Sequence, residues 1–450
     1  MDCSSKPSGT EWRRCATLKR LAGSKWPAVA ASGASVPASR GGYQRCISPS
    51  GIQRLLSATL MRLPPRCGRK RPCLVALRSN NWRLRSLEPS LPDIALTSFD
   101  LPLAAVDVGY FSTKFTTGRD GSDPQRLTIQ ANSIPSYCPR VDGEATAGVG
   151  MSSLNGVVVE VEGTRYFVGP DAALRSSGLD ARVTLEGYAD SETYLALFRG
   201  ALHYICRSLL QQRQDVTEVV IKRMVVGLPL NTLAAKKDPL RARVEGRHVV
   251  PAMPWSKNEL VVQVRSCTVL AQPQGALVYH GGSNKEIFKQ NTLVLDLGGG
   301  TFDWFLTHGQ KVLYERSGAY PKGMLACTFA VCDQIRKSLR DDMEIVKRVD
   351  LALRKNDPEV LIAGKMVSLA PFEPAVRAIL KESLQRMLDS VKSLDSIDLI
   401  LFTGGGAPRL HALMVEMFPD RGETMMLDGD PVYSNVRGFH VLGEVMAHAA

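Results

Sequence analysis

Leu295–Asp296–Leu297–Gly298–Gly299–Gly300–Thr301–Phe302–Asp303 is the stretch on which the fold turns. An apolar run, Thr292–Leu297, ends in an aspartate and three consecutive glycines, and a second apolar run, Phe302–Thr307, follows at once. The two runs read as a hairpin across a Gly-rich turn. A tight hairpin needs one or two glycines. Three in a row bare enough backbone for a ligand to come close. Amide N–H groups in such a turn suit phosphate oxygens. An aspartate at the strand end can hold the water shell of Mg²⁺ or orient a nucleophilic water.

The same pattern occurs on either side. Upstream, Leu103–Gly109 is an apolar run that feeds Asp107–Val108–Gly109–Tyr110–Phe111–Ser112–Thr113–Lys114. There the turn's N–H groups and the Ser112 and Thr113 hydroxyls would face phosphate, Lys114 adds a point charge, and Asp107 takes the metal-water position. Downstream, Leu399–Phe402 runs into Thr403, then Gly404–Gly405–Gly406 and a helix start at Ala407–Pro408. Bared backbone beside a helix N-terminus suits a flat base or a ribose. Asp107 and Asp296 lie 189 residues apart, a spacing that predicts two α/β domains of related topology with a nucleotide cleft between them. An ordinary hairpin or strand-to-helix loop accounts for each turn singly; their order and spacing are the specific signal.

Between the turns the chain alternates strands and helices. Val157–Val161 and Tyr166–Val168 read as strands around Glu162–Gly163. Ser191 to Gln212 reads as a helix, because Tyr194, Leu197, Phe198, Ala201, Leu202, Ile205 and Leu209 recur at three and four, with Ser191 as N-cap. Val219–Val226 is a buried strand closed by Gly227 and Pro229, Leu260–Val269 is another, and Lys311–Glu315 extends the meander. Helices are predicted over Gly323–Arg340, Glu373–Leu394 and Val436–Ala449.

Composition sets the outer limits. The chain has 450 residues, 44% hydrophobic and 22% charged, values of a globular protein. No apolar run approaches a membrane span. The net charge of +12 is uneven: residues 1–90 hold 17 Lys/Arg against 3 Asp/Glu, and residues 91–450 hold 39 against 41. The basicity is thus a tail, densest at Arg66–Pro72 and rich in Ser, Pro and Gly. Residues 1–100 read as a basic low-complexity extension: a disordered arm that attracts phosphate backbones, a transit peptide, or a mis-called start. The ten cysteines form no Cys-x-x-Cys pair, so no zinc template is present. Cys206, Cys267 and Cys327 sit in apolar patterns and read as reduced core residues of a cytoplasmic protein.

Taken together, the three turns resemble those of the ATPase superfamily of actin, sugar kinases and heat-shock chaperones. Asp296–Asp303 is similar to the chaperones' second phosphate motif. The nearest resemblance is to the ParM/StbA plasmid-segregation actins, through Asp107–Lys114, Leu228–Pro229–Leu230 and Tyr433–Phe439. Four strings narrow it to protein D of the PRTRC plasmid-borne cassette: Val226–Pro229, Ala271–Ala276, Thr301–Trp304 and Asn435–Phe439. The resemblance spans roughly residues 103–447.

This resemblance implies an α/β, actin-like ATPase (ribonuclease H-like) fold. Domain I would take residues 101–285 with 428–450 returning to it, and domain II residues 286–427. ATP and Mg²⁺ would be the ligands. Asp107 and Asp296 would coordinate the metal through water. Gly109, Ser112, Thr113 and Lys114 would grip the β- and γ-phosphates from one side, and Gly298, Gly299, Gly300 and Thr301 from the other. Gly404, Gly405 and Gly406 would lie against the adenosine, and Lys322 would reach the ribose. The catalytic pair would be Asp296 and Gln272. In ParM-like proteins a glutamate stands where this chain has Gln272 or, alternatively, Gln274. A carboxamide orients water through its carbonyl oxygen but takes no proton at neutral pH. Slow hydrolysis improved by polymerisation follows, or its loss. Expected partners are further copies of the chain in a filament, plasmid-encoded adaptor or cassette proteins, and nucleic acid only through the basic tail. Two other readings stay open: a small-molecule kinase on the same fold, and a nucleotide-gated binding module without filaments.

Overall fold

The computed structural model describes residues 97–120, 128–141, 153–175, 187–211 and 213–448. The arginine-rich stretch before residue 97, and with it the readings of the tail, lies outside them. All the described residues belong to one unit of the chain.

The first half opens as a meander, β1 (Thr97–Val108), β2 (Ser112–Arg119) and β3 (Ile129–Pro135), followed by a separate hairpin, β4 (Val157–Val161) and β5 (Thr164–Val168). Helix α1 (Glu192–Leu210) leads into β6 (Val216–Leu228). Then come α2 (Leu230–Val244), β7 (Gly246–Val250), β8 (Leu260–Val264), β9 (Cys267–Ala271) and α3 (Gln272–Ser283). The second half repeats the opening with β10 (Asn291–Leu297), β11 (Phe302–His308), β12 (Lys311–Val312) and β13 (Gly318–Tyr320). Helices α4 (Met324–Arg336) and α5 (Met343–Lys355), hairpin β14 (Glu359–Ile362) and β15 (Lys365–Ser368), and α6 (Glu373–Val391) follow. The chain continues through β16 (Leu399–Thr403), α7 (Ala407–Met417), β17 (Met425–Leu427) and α8 (Ser434–His448).

Two mixed sheets result. The first runs β3-β2-β1-β6-β8-β7, with β9 also on β6, and the second β12-β11-β10-β16-β17, with β13 on β11. In each, the opening hairpin is antiparallel and the next strand in the sheet, β6 or β16, lies parallel to the hairpin's first strand. The repeated topology expected from the two Asp–Gly turns is therefore present. Strand β1 begins at Thr97, earlier than its apolar run indicates, because the Thr97 hydroxyl donates to Asp215 at 2.6 Å and continues the pairing with β6. The run Leu260–Val269, expected as one strand, is two. Arg265 and Ser266 break it, with Arg265 N–H on Ile221 and Ser266 accepting from Met224 N–H, so that β8 and β9 each pair with a different part of β6.

Period-two burial assigns the faces. On β1, Val106 and Val108 pack towards α1, whose Tyr194, Leu197, Phe198, Ala201, Leu202 and Ile205 are buried as the periodicity requires. Ser191 caps that helix, accepting from Tyr194 N–H at 3.1 Å. Leu103 and Ala105, on the other face, pack on Val436 and Phe439 of α8. On β10, Leu293, Leu295 and Leu297 join the core built by α4, α5, α6 and α7, while Val294 joins Ala276 and Leu277 of α3. Asp107 shares the face of Leu103 and Ala105, and Asp296 shares the face of Val294. Both carboxylates thus stand on the sheet faces that look at α3 and α8.

Candidate functional site

One open cleft collects most of the residues singled out from the sequence. Asp107, Gly109, Ser112, Lys114, Gln272, Asp296, Gly298, Gly299, Gly300, Thr301, Gly404 and Gly405 line it. Three others do not. Thr113 is fully buried with its hydroxyl on Ser136 at 2.8 Å, because period two turns it away from its neighbours Ser112 and Lys114. Gly406 sits under the turn, its N–H on the Leu297 carbonyl at 2.9 Å. Lys322, expected at a ribose, instead forms an ion pair with Glu382 of α6 at 2.8 Å.

The two strand-end carboxylates differ in their surroundings. Asp107 faces Lys114 across the β1–β2 register. Its Oδ2 accepts from Lys114 Nζ at 3.0 Å and its Oδ1 from Gln272 Nε2 at 2.7 Å. Asp296 occupies the equivalent place in the second hairpin, where its cross-strand partner is another carboxylate, Asp303. Asp296 Oδ2 accepts from Asn435 Nδ2 at 2.6 Å, and Asp303 Oδ1 from Leu230 N–H at 2.8 Å. Burial pushes Asp296 up to about 6, against the hydrogen bond from Asn435. Burial, then the charge of Asp296, push Asp303 up to about 7.

Backbone geometry makes the second turn a donor surface. The first N–H groups of a helix have no partner within it. Here Met324 N–H and Leu325 N–H of α4 donate to the carbonyls of Gly298 (3.0 Å) and Gly299 (2.8 Å), and Gly323 N–H donates to Gly300 (3.1 Å). The turn's carbonyls are thereby taken, and the N–H groups of Gly299 and Gly300 have no backbone acceptor among the described residues. A Cβ at Gly299 would come within 2.6 Å of Phe111, and one at Gly300 would overlap the Tyr110 ring. Gly404 has φ +84° and lies so close to Asp296 that any side chain would overlap its carboxylate.

Residues that the sequence did not single out complete the cleft. Arg354 and Asp350 enter from α5. The Arg354 Nε donates to buried Asp350 at 2.6 Å, and its guanidinium lies 4.7 Å from the Phe111 ring centroid. The i,i+4 Asp–Arg spacing was visible as a helix pair, but nothing local tied it to a turn almost 250 residues earlier. Met324, Val432 and Asn435 also line the cleft. Asn435 stood within the closing motif, yet its role depends on the α8 approach.

The donor set fits a nucleotide with a hard cation. Mg²⁺ is bound through one or two carboxylates, with waters and substrate phosphates filling the remaining positions. Two buried carboxylates facing one cleft suit that, and among the described residues no group of three or more His, Cys, Asp or Glu makes a dedicated cage. Burial is what raises Asp296, against the Asn435 hydrogen bond and the charge of Lys114.

The comparisons bear on the fold. Residues 105–275 match the family model of the N-terminal domain of actin-like proteins, and residues 294–416 that of the archaeal actin homologue MreB-like C-terminal region. The fold is that of the actin-like ATPases. Among solved structures, actin-like protein Alp7A superposes with a TM-score of 0.59 at 16% identity, over 78% of this chain and 98% of that one. The archaeal actin homologue Ta0583 gives 0.56 at 17%, over 77% and 100%, and has also been solved with ADP. A ParM from Clostridium botulinum, solved as a 15-stranded filament, gives 0.55 at 15%, over 77% and 100%. No curated protein matches the chain by sequence. Among the described residues no helix of this actin-like chain is long and apolar enough to cross a membrane. Its five described cysteines are buried.

Proposed function

We propose that this chain binds ATP with Mg²⁺ between its two Asp–Gly turns, hydrolyses it slowly, and couples the nucleotide state to self-association into filaments. The observation that carries this reading is the convergence of Asp107, Asp296 and Gln272, from three separate elements, on one cleft floored by glycine turns. Filament formation and ADP binding in proteins of the same fold support it. A role in plasmid segregation or maintenance rests on the ParM resemblance, and the narrowing to PRTRC protein D rests on four short strings.

In this reading Gly298–Thr301 and Gly109–Ser112 present N–H and hydroxyl groups to the β- and γ-phosphates, and Lys114 exchanges part of its contact with Asp107 for phosphate oxygens. Asp107 and Asp296 would hold the metal through water; bound Mg²⁺ neutralises charge on the phosphates. Gln272 spends its amide nitrogen on Asp107, which leaves its carbonyl oxygen to orient a water. That group accepts a hydrogen bond but not a proton, so turnover is slow. Gly404 and Gly405 with Arg354 form the far wall, where the nucleoside would lie. Among the described residues of the cleft, the kinase reading finds no carboxylate left over as a base. Asp350 is the remaining carboxylate in the cleft, and it is ion-paired to Arg354. The binding-module reading keeps the same site without turnover.

Phosphate release followed together with right-angle light scattering on the full chain, with ATP·Mg²⁺ and varied protein concentration, tests the proposal. Scattering that rises above a critical concentration, with phosphate release trailing it, is expected. Flat scattering with slow release would leave a switch-like ATPase, and absent nucleotide binding would overturn the reading. Gln272→Ala is expected to slow release roughly 10-fold or more with nearly unchanged affinity. Equal losses in rate and affinity would make Gln272 structural.

A further inference from the structure

Helices α3 and α8 start at the cleft in the same way. Each presents a carboxamide in its first turn and a glycine three residues later: Gln272 with Gly275, and Asn435 with Gly438. At those glycines the two helices meet backbone to backbone. A Cβ at Gly438 would overlap the Gly275 carbonyl, and one at Gly275 would overlap the Asn435 carbonyl. The crossing sets the two amides on the two carboxylates, Gln272 on Asp107 at 2.7 Å and Asn435 on Asp296 at 2.6 Å.

Asn435 carries a feature that Gln272 lacks. It is 6% exposed and lines the cleft, yet its Oδ1 is buried without a hydrogen-bond partner. Its orientation is fixed chemically, because an ionised Asp296 accepts only from the nitrogen end. A buried acceptor left unmet destabilises its surroundings, so the site is incomplete until a donor arrives. Water bound to a cation is polarised and a strong donor, and the neighbouring carboxylate is the one that no lysine hydrogen-bonds.

We propose that Asn435 is a positioning residue for the metal site. Its nitrogen holds Asp296 in one orientation, and its oxygen accepts from a metal-bound water. The inference rests on the nucleotide·Mg²⁺ reading above and deepens it. Partners of metal ligands of this kind typically contribute 10–100-fold to metal affinity.

The test is the affinity of the full chain for a non-hydrolysable ATP analogue, measured with Mg²⁺ and again with EDTA. Asn435→Ala is expected to cut the Mg²⁺-dependent gain by about 10-fold or more while leaving the EDTA affinity within about 2-fold. Equal losses in both conditions would make Asn435 a nucleotide contact, and no loss in either would make it structural filler; each overturns the proposal. Should Asn435→Ala not fold, a crystal structure of the wild type with analogue and Mg²⁺ decides. A metal-bound water on Asn435 Oδ1 is expected, and an Oδ1 without one overturns it. A wild type that binds no analogue removes the proposed function and this inference together. A wild type that binds it, with Asn435→Ala silent, removes only the inference.

Discussion

The β1–β2 turn and the β10–β11 turn are the same device with opposite electrostatics. In the first, Asp107 meets Lys114 across the strands; in the second, Asp296 meets Asp303 at the same register. The first is internally neutral and tipped with aromatics, Tyr110 and Phe111. The second sets two carboxylates beside a turn whose Gly299 and Gly300 admit no side chain. Equivalent topology therefore does not mean equivalent chemistry. The first carboxylate is paired with a lysine across the strands, and the second faces another carboxylate and feels Lys114 only at a distance.

The largest contrast should come from the carboxylates. Asp296→Ala is expected to lower Mg²⁺-dependent nucleotide binding by about 100-fold, and Asp107→Ala by about 10-fold, because freed Lys114 still attracts phosphate. Titration of both variants against Mg²⁺ checks this, and equal losses would erase the asymmetry. Next come the glycines. Gly300→Ala drives a Cβ into the Tyr110 ring, whereas Gly109→Ala meets only Lys114 Nζ at 3.0 Å and the Ser112 carbonyl at 3.1 Å. Calorimetric affinities should fall roughly 10-fold for the first and little for the second.

A third contrast is in pH. Asp296 at about 6 and Asp303 at about 7 lie above the ordinary carboxylate range. Their protonated forms favour the fold, so that contribution is full below about pH 4 and is lost as pH rises through 6 and 7. Asp303→Asn removes much of the loss and keeps an acceptor for Leu230 N–H. Its melting temperature in nucleotide-free buffer should exceed that of the wild type at pH 8 by roughly 4 °C or more, with little difference at pH 4. The smallest effect is Thr113→Val. It should cost about 1 kcal/mol of stability through the lost Ser136 bond, with analogue affinity unchanged.

The two Asp–Gly turns were legible because each is local: strand, carboxylate and glycines lie in consecutive residues. Helix α1 was legible for the same reason, its stripe running unbroken from Tyr194 to Ile205. Helix α2 was not, since it buries only Leu240 and Val244 and contains Pro239. Helix α3 opens Gln272–Pro273 and carries Gly275, Gly281 and Gly282, a poor helix former by composition; it is held by what Gly275 packs against. Lys322 went astray because its ion-pair partner, Glu382, is far away in sequence. Arg354 and Asn435 reach the cleft only through the tertiary arrangement, and no short motif encodes that.

Helix α8 has one more consequence. It returns from beyond the second sheet to bury Val436 and Phe439 against β1 and β6 and to bring Asn435 to Asp296. Domains tend to fold as units while the chain emerges from the ribosome. Here the first sheet waits, one face uncovered, until the second has been made and residues 434–448 have followed. A nascent chain halted before Ser434 has both glycine turns and neither a finished core nor a finished cleft. Competence thus arrives only once residues 434–448 have been made, and a product truncated before Ser434 is expected to be inert to nucleotide rather than a defective partner for intact copies.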